Sequence, residues 1–292
     1  MELTAEQFVN NLLSDEASNE PSDKVKLEEL ESQMKLPEWF DEKKYNQGRR
    51  FVLDFLFGFA TSILLGLMST FAIPSVMNIF LSTRRSSSTY TAYMRYTSTT
   101  LHTFSWLLYD LKPGTIMWRS LHTVRVRHLK AGRAAKLKNI GTVSQRDLSF
   151  ILFTAMAYIF LKPDKFGVRQ LREGDWEAVN HFVRVIGNMV GIKDRYNVYR
   201  PTFQETREVF QIIFDRVFTP CLENVPEYFE HMNHVAIDGL KKSIYNLEKT
   251  SMLFLNKYFA DVPGYIYTED DRLKLQEKLK KHLKGRSPDT GI

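Results

Sequence analysis

"FVLDFLFGFATSILLGLMSTFAIPSVMNIFL", residues 51–81, is the stretch that most limits what this chain can fold into. From Phe55 to Ile73 nineteen residues pass without a charge, enough in principle to cross a hydrocarbon core about 30 Å thick. Arg49 and Arg50 precede the run and Arg84 and Arg85 follow it, so basic residues at both ends set no orientation. The other solution is a helix apolar on all sides because it lies at the centre of a large helical domain, broken near Pro74. Asp54 and the Gly, Ser and Thr content suit the buried helix better.

The rest of the chain reads as helix upon helix. "TAYMRYTSTTLHTFSWLLYDL" leads through a turn at Lys112–Gly114 to "TIMWRSLHTVRVRHLKAGRAAKLK", and Ser144 is placed to cap "QRDLSFILFTAMAYIFL". No segment sustains the alternation of a strand, so the expected class is all-α. The expectation is a single large multi-helix domain over 36–265, with a central buried apolar helix. An acidic tail or surface helix precedes it over 1–35, and a basic helix and tail follow over 266–292.

Composition removes several classes of function. The single cysteine, Cys221, rules out an internal disulfide or a multi-cysteine metal site. There is no HExxH, CxxC, GxSxG or Gly-rich phosphate loop. The net charge of +6 comes from Lys and Arg residues spread along the chain with Asp and Glu among them, which argues against nucleic acid as a partner. The first residues lack a basic start followed by an apolar run, so no secretory signal is expected, and the location is left open between an intracellular protein and one associated with the ER or another membrane.

Two histidines stand out in "SLHTVRVRHLKAG". At 100° per residue, Met117, Leu121, Val124, His128, Ala131 and Ala135 share a narrow arc without a charged side chain, so His128 is expected to face the interior. His122 lies on a second arc with Trp118, Val126 and Leu129, which Arg133 and Lys136 continue. A buried imidazole needs partners for its nitrogens, and a hydrogen-bonded core histidine meets that need as well as a metal ligand does.

At these residues an ordered set of blocks resembles a known family. "LPEWFDEKKYNQGRRF", "RYTSTT", "LKPGTIMWRSLHTVRVRHL", "VSQRDLSF" and "VNHFVRVIGNMVGIKDRYNVY" are similar, in this order, to blocks of the mpaB-type ER-bound oxygenases and the bacterial latex-clearing rubber oxygenases. Uncharacterised animal members look most alike. The resemblance covers residues of about 36 to 220.

The resemblance implies a b-type haem in a pocket between helices and an oxygenase acting on a hydrophobic, isoprenoid or lipid-like substrate. By the family's RxxH motif, His128 would be the axial iron ligand with Arg125 beside it, and Arg119 with His122 forms the rival RxxH. Arg95 and Thr99 match an arginine and a threonine on the distal side. Arg95 would donate hydrogen bonds to dioxygen or a haem propionate, Thr99 would position a proton or a water, and Arg125 is a second propionate partner. The alternative is a non-catalytic, haem-free member of the same fold with a lipid-binding or structural role. The chain departs from the family at Ser98, where rubber oxygenases can carry a distal lysine. It departs again at Ile151 and Leu152, where a Thr-Gln pair is common, and at Val183, where a tryptophan is usual. The apolar region is folded into the domain in soluble rubber oxygenases, whereas mpaB-type members are membrane-associated, and for residues 51–81 we expect the buried helix.

Overall fold

Asp54 decides how the apolar run folds. In the computed structural model, which describes residues 3–262 apart from 23, 84, 87, 170 and 243–246, together with residue 277, the Asp54 carboxylate turns outward to the Arg172 guanidinium at 2.6 Å. The helix ending there meets the next at an angle of 89°. A charge that cannot enter the core thus becomes a corner. A second break falls at Ile73, where Pro74 opens a new helix.

In chain order the helices are α1 (Ala5–Leu12), α2 (Asp15–Asn19), α3 (Glu42–Asp54), α4 (Leu56–Thr70), α5 (Pro74–Ser82), α6 (Thr89–Leu108) and α7 (Ile116–Leu137). They continue as α8 (Gln145–Leu161), α9 (Asp175–Met189), α10 (Phe203–Ile213), α11 (Thr219–Glu223), α12 (Phe229–Leu240) and α13 (Lys249–Phe259), with one π-helical turn at Phe214–Phe218. No strand forms among the described residues, and the fold is a single all-α domain. The basic helix expected over 266–292 lies outside the described residues but for residue 277.

The apolar run is therefore three helical pieces, with α4 as its buried centre. Among the described residues no single helix is long and apolar enough to cross a membrane; only the bent pair α3–α4 meets the length and composition together. Phe59, Leu65 and Met68 of α4 are fully buried, while Phe57 is 87% exposed. Where α4 crosses α8, a Cβ on Gly66 would stand 1.8 Å from the Thr154 carbonyl oxygen, so only glycine allows that approach.

α8 is buried on nearly every side, as its unbroken apolar sequence demands. Ser144 caps it, accepting from the Asp147 amide at 3.1 Å while Asp147 accepts from the Ser144 amide at 3.3 Å. Gln145 then ties three segments together. Its Nε2 donates to the carbonyls of Ser22 at 2.9 Å and Gly191 at 3.0 Å, and its Oε1 accepts from the Lys193 amide at 2.9 Å.

The N-terminal helices dock on this frame. Phe8, Val9 and Leu12 of α1 enter the core, and Glu20 ion-pairs with Lys193 and Arg195. α3 packs along α9, where a Cβ on Gly48 would lie 2.1 Å from the Ala178 carbonyl oxygen. The His181 ring accepts the Asp41 amide at 3.1 Å, and the Arg184 guanidinium lies 4.1 Å over the Trp39 ring while pairing with Asp194 at 2.9 Å. Two of the blocks that carry the resemblance thus interlock with each other, and in doing so build scaffold.

Candidate functional site

α6 and α7 hold the residues singled out in the sequence. Ser88 opens α6 with a capping box to Thr91, and Thr115 opens α7 by accepting the Trp118 amide at 3.2 Å. α3 fixes their ends: the Arg49 guanidinium reaches Asp110 and the Tyr109 carbonyl, and the Tyr45 hydroxyl contacts the Met117 sulfur at 3.3 Å.

Side by side, the two helices are joined by a polar network. Arg127 donates to the Ser98 hydroxyl at 2.9 Å and to the His102 Nε2 at 3.1 Å. Because a guanidinium only donates, the His102 proton sits on Nδ1 and is directed at the Ser120 hydroxyl, 2.7 Å away, which also accepts from the Trp106 indole at 3.0 Å. Burial, and then the Arg127 charge, hold the His102 pKa below the usual histidine value. Sequence reasoning missed this network. The available signal was that Ser98, His102 and Trp106 recur every four residues on α6, one polar or amphipathic side chain per turn.

The wall opens at one level. Thr99 falls on the same arc of α6 as the buried Ala92 and Tyr96, yet it is exposed, its hydroxyl donating back to the Arg95 carbonyl at 3.1 Å. On the inward arc of α7, Met117, Leu121 and Ala135 are fully buried while Val124 and His128, between them, are less completely covered. The Arg127–Ser98 bond sets His128 and Thr99 at neighbouring heights.

His128 has no hydrogen bond among the described residues, and its Nδ1 is buried without a partner. Burial, reinforced by the positive charge of Arg95, pushes its pKa down to about 4, so the ring is neutral at neutral pH. Arg95 of α6 lies near enough for its charge to act on the ring. Its guanidinium lies 3.9 Å over the Phe80 ring of α5 and donates to the hydroxyls of Thr83 at 3.3 Å and Ser86 at 3.4 Å. Among the described residues no carboxylate pairs with it, and burial lowers its pKa from the ordinary arginine range.

The structure thus brings Arg95 within electrostatic range of His128 and sets Thr99 at a solvent-open level beside them. Arg125 is half-buried about one turn before His128. His122 is half-buried on a different face of α7, on the arc that also carries the buried Trp118 and Leu129. A neutral, unpartnered imidazole is free to act as a ligand or an acceptor, and an uncompensated guanidinium beside it favours anionic or electron-rich groups.

No known protein-family profile matches the chain, and no curated protein sequence matches it. Among solved structures it is similar to latex clearing protein LCP in the closed state, with a TM-score of 0.62, 18% identity, and coverage of 89% of this chain and 73% of that one. At that identity the likeness establishes a shared helical fold, distant but spanning most of both chains.

Proposed function

We propose that this protein is a haem-dependent oxygenase-like protein, allied to the rubber oxygenases and the mpaB-type ER-bound oxygenases, that acts on a hydrophobic isoprenoid or lipid-like substrate. One observation carries the reading: the neutral His128 ring, its buried Nδ1 unpartnered, lies within electrostatic range of Arg95 on the inward arc of α7. Leaving a buried polar atom unsatisfied costs about 1–3 kcal/mol, which a fold retains where the atom has other work. A lone histidine cannot by itself hold a bare metal ion, whereas a porphyrin brings four donors of its own and could be held by one imidazole.

His128 would hold the group from α7, with His122 as the rival ligand, and Arg95 and Arg125 would pair with its propionates. A b-type haem bound there would supply dioxygen chemistry. The chain's own side chains do the rest: the Arg95 guanidinium donates hydrogen bonds from the α6 side, the Thr99 hydroxyl holds a water or a proton at the open level, and the apolar residues around them accept the substrate.

Ser98 favours a second reading, a haem-free member of the fold with a lipid-binding or structural role. In place of the lysine that rubber oxygenases can carry, its hydroxyl is engaged by Arg127. The absorption spectrum of the purified, haem-supplemented protein separates the two. The first reading expects a Soret band that His128→Ala abolishes and His122→Ala largely retains. A protein with no band supports the haem-free reading, and loss of the band with His122→Ala alone transfers the ligand role to His122.

A further inference from the structure

Between Asp54 and Asp147 the chain holds twelve Lys and Arg residues and one carboxylate, Asp110, although the whole chain balances 40 basic against 34 acidic residues. Most of those cations lie on or beside α5, α6 and α7, and neither α6 nor α7 contains a carboxylate. The segregation is visible in the pairing. Elsewhere cations meet carboxylates, as in Arg172–Asp175, Arg184–Asp194, Arg195–Glu20 and Lys249–Asp238. On α7, Arg119 donates instead to the Gly114 carbonyl at 3.0 Å and Arg133 to the Val25 carbonyl at 3.1 Å, and Lys130 has no ion pair among the described residues.

The same face is apolar along α6. Tyr90, Met94, Leu101, Phe104 and Leu108 are all exposed, Tyr90 by 70%, Leu101 by 63% and Leu108 by 61%. Together with Thr97 they follow a 4-3-4-3-4 spacing, one stripe about 27 Å long at the rise of an α-helix. The stripe points away from the buried Ala92 and Tyr96, and the exposed Arg119, Arg127 and Lys130 point away from the buried Met117 and Leu121. Since Arg127–Ser98 and His102–Ser120 lock the helices side by side, the apolar stripe and the basic row form one continuous outer surface.

We propose that this outer face of α6 and α7 docks the protein on an anionic lipid bilayer surface, the apolar stripe entering the headgroup boundary and the basic row contacting lipid phosphates and carboxylates. Charge complementarity selects this occupant. A second copy of the chain would bring two basic rows together, and a nucleic acid would leave the stripe of large apolar side chains in water. The combination of a polar-rimmed apolar stripe and flanking cations is the pattern of a helix lying in the membrane interface. The inference does not depend on haem.

The test is vesicle flotation of the full chain with phosphatidylcholine alone and with phosphatidylcholine containing phosphatidylserine. Binding is expected only to the anionic vesicles and is released by high salt. Each of Arg119→Ala and Lys130→Ala weakens it about fivefold, and Leu101→Asp weakens it about tenfold or more, with circular dichroism confirming that every variant is folded. Three results would overturn the proposal: equal binding to neutral vesicles, no binding to anionic ones, or binding unchanged by Leu101→Asp. Duplex DNA binding tighter than vesicle binding, or a stable dimer whose formation is lost in Leu101→Asp, would assign the face to the other occupants.

Discussion

The α3–α8–α9 frame and the α6–α7 pair are built on opposite rules. In the frame, backbones approach so closely that Gly48 and Gly66 admit no side chain, every named cation has its carboxylate, and the His181 nitrogen accepts a backbone amide. In the pair, the inward arc is incompletely covered at Val124 and His128, Arg119 and Arg133 of α7 meet backbone carbonyls, and the His128 Nδ1 has no partner among the described residues. The difference lies in packing and charge pairing, and on the proposed reading the α6–α7 side chains are the ones left available for binding.

The sharpest contrast is energetic. Phe153 is fully buried, with the Phe210 and Phe218 rings 4.9 and 4.8 Å from its own. Phe153→Ala should cost about 3–5 kcal/mol in urea unfolding, whereas Leu101→Ala on the exposed stripe should stay within about 0.5 kcal/mol. A cost above 2 kcal/mol at Leu101 would mean that the stripe is covered, and the distinction between the regions would fail.

How much of this the sequence disclosed follows the same division. The helical class, the Ser144 cap and the inward direction of His128 all come from local pattern, because caps and 3.6-residue periodicity are properties of single segments. The corner at Asp54 was hidden, since the partner that draws its carboxylate outward, Arg172, lies far along the chain. For the same reason the blocks "LPEWF" and "NHFVRV" could be read as family marks but not as two halves of one contact. The exposure of Thr99 was equally invisible: its arc predicts burial, and exposure depends on how neighbouring helices are placed, which no single-helix pattern encodes. The Arg127–His102–Ser120 network links residues of two helices, which no single-helix pattern reveals.

Two histidines turn the contrast into a paired test. Burial pushes both His128 and His181 down to about 4, but only His181 has a bonded nitrogen. In the haem-free protein, His181→Leu should destabilise by about 1–2 kcal/mol because the Asp41 amide loses its acceptor, while His128→Leu should be neutral or stabilising by about 1 kcal/mol. Both groups ordinarily titrate near 6.5. Below that value the unfolded chain takes up a proton that the folded ring refuses until about pH 4, so stability falls as pH drops through this window, and either substitution should flatten the fall. Calorimetric melting at several pH values measures it. Destabilisation by His128→Leu as large as that by His181→Leu would make His128 a scaffold residue.

The smallest effects are electrostatic and opposite in sign. Burial alone would raise the Glu20 pKa, but the hydrogen bonds from Lys193 and Arg195 outweigh it and bring the carboxyl down to about 2 from an ordinary 4.5. Its contribution is therefore present above pH 4.5 and is lost as pH falls toward 2, and Glu20→Gln should remove that part of the acid transition. Added salt should weaken the same pairing slightly. On α6 and α7, where Arg119 and Lys130 meet no carboxylate among the described residues, salt should instead relieve like-charge repulsion and slow hydrogen exchange of the helix amides. If salt changed exchange in the same direction in α1–α2 and in α7, charge pairing would not be what distinguishes the two regions, leaving only their packing.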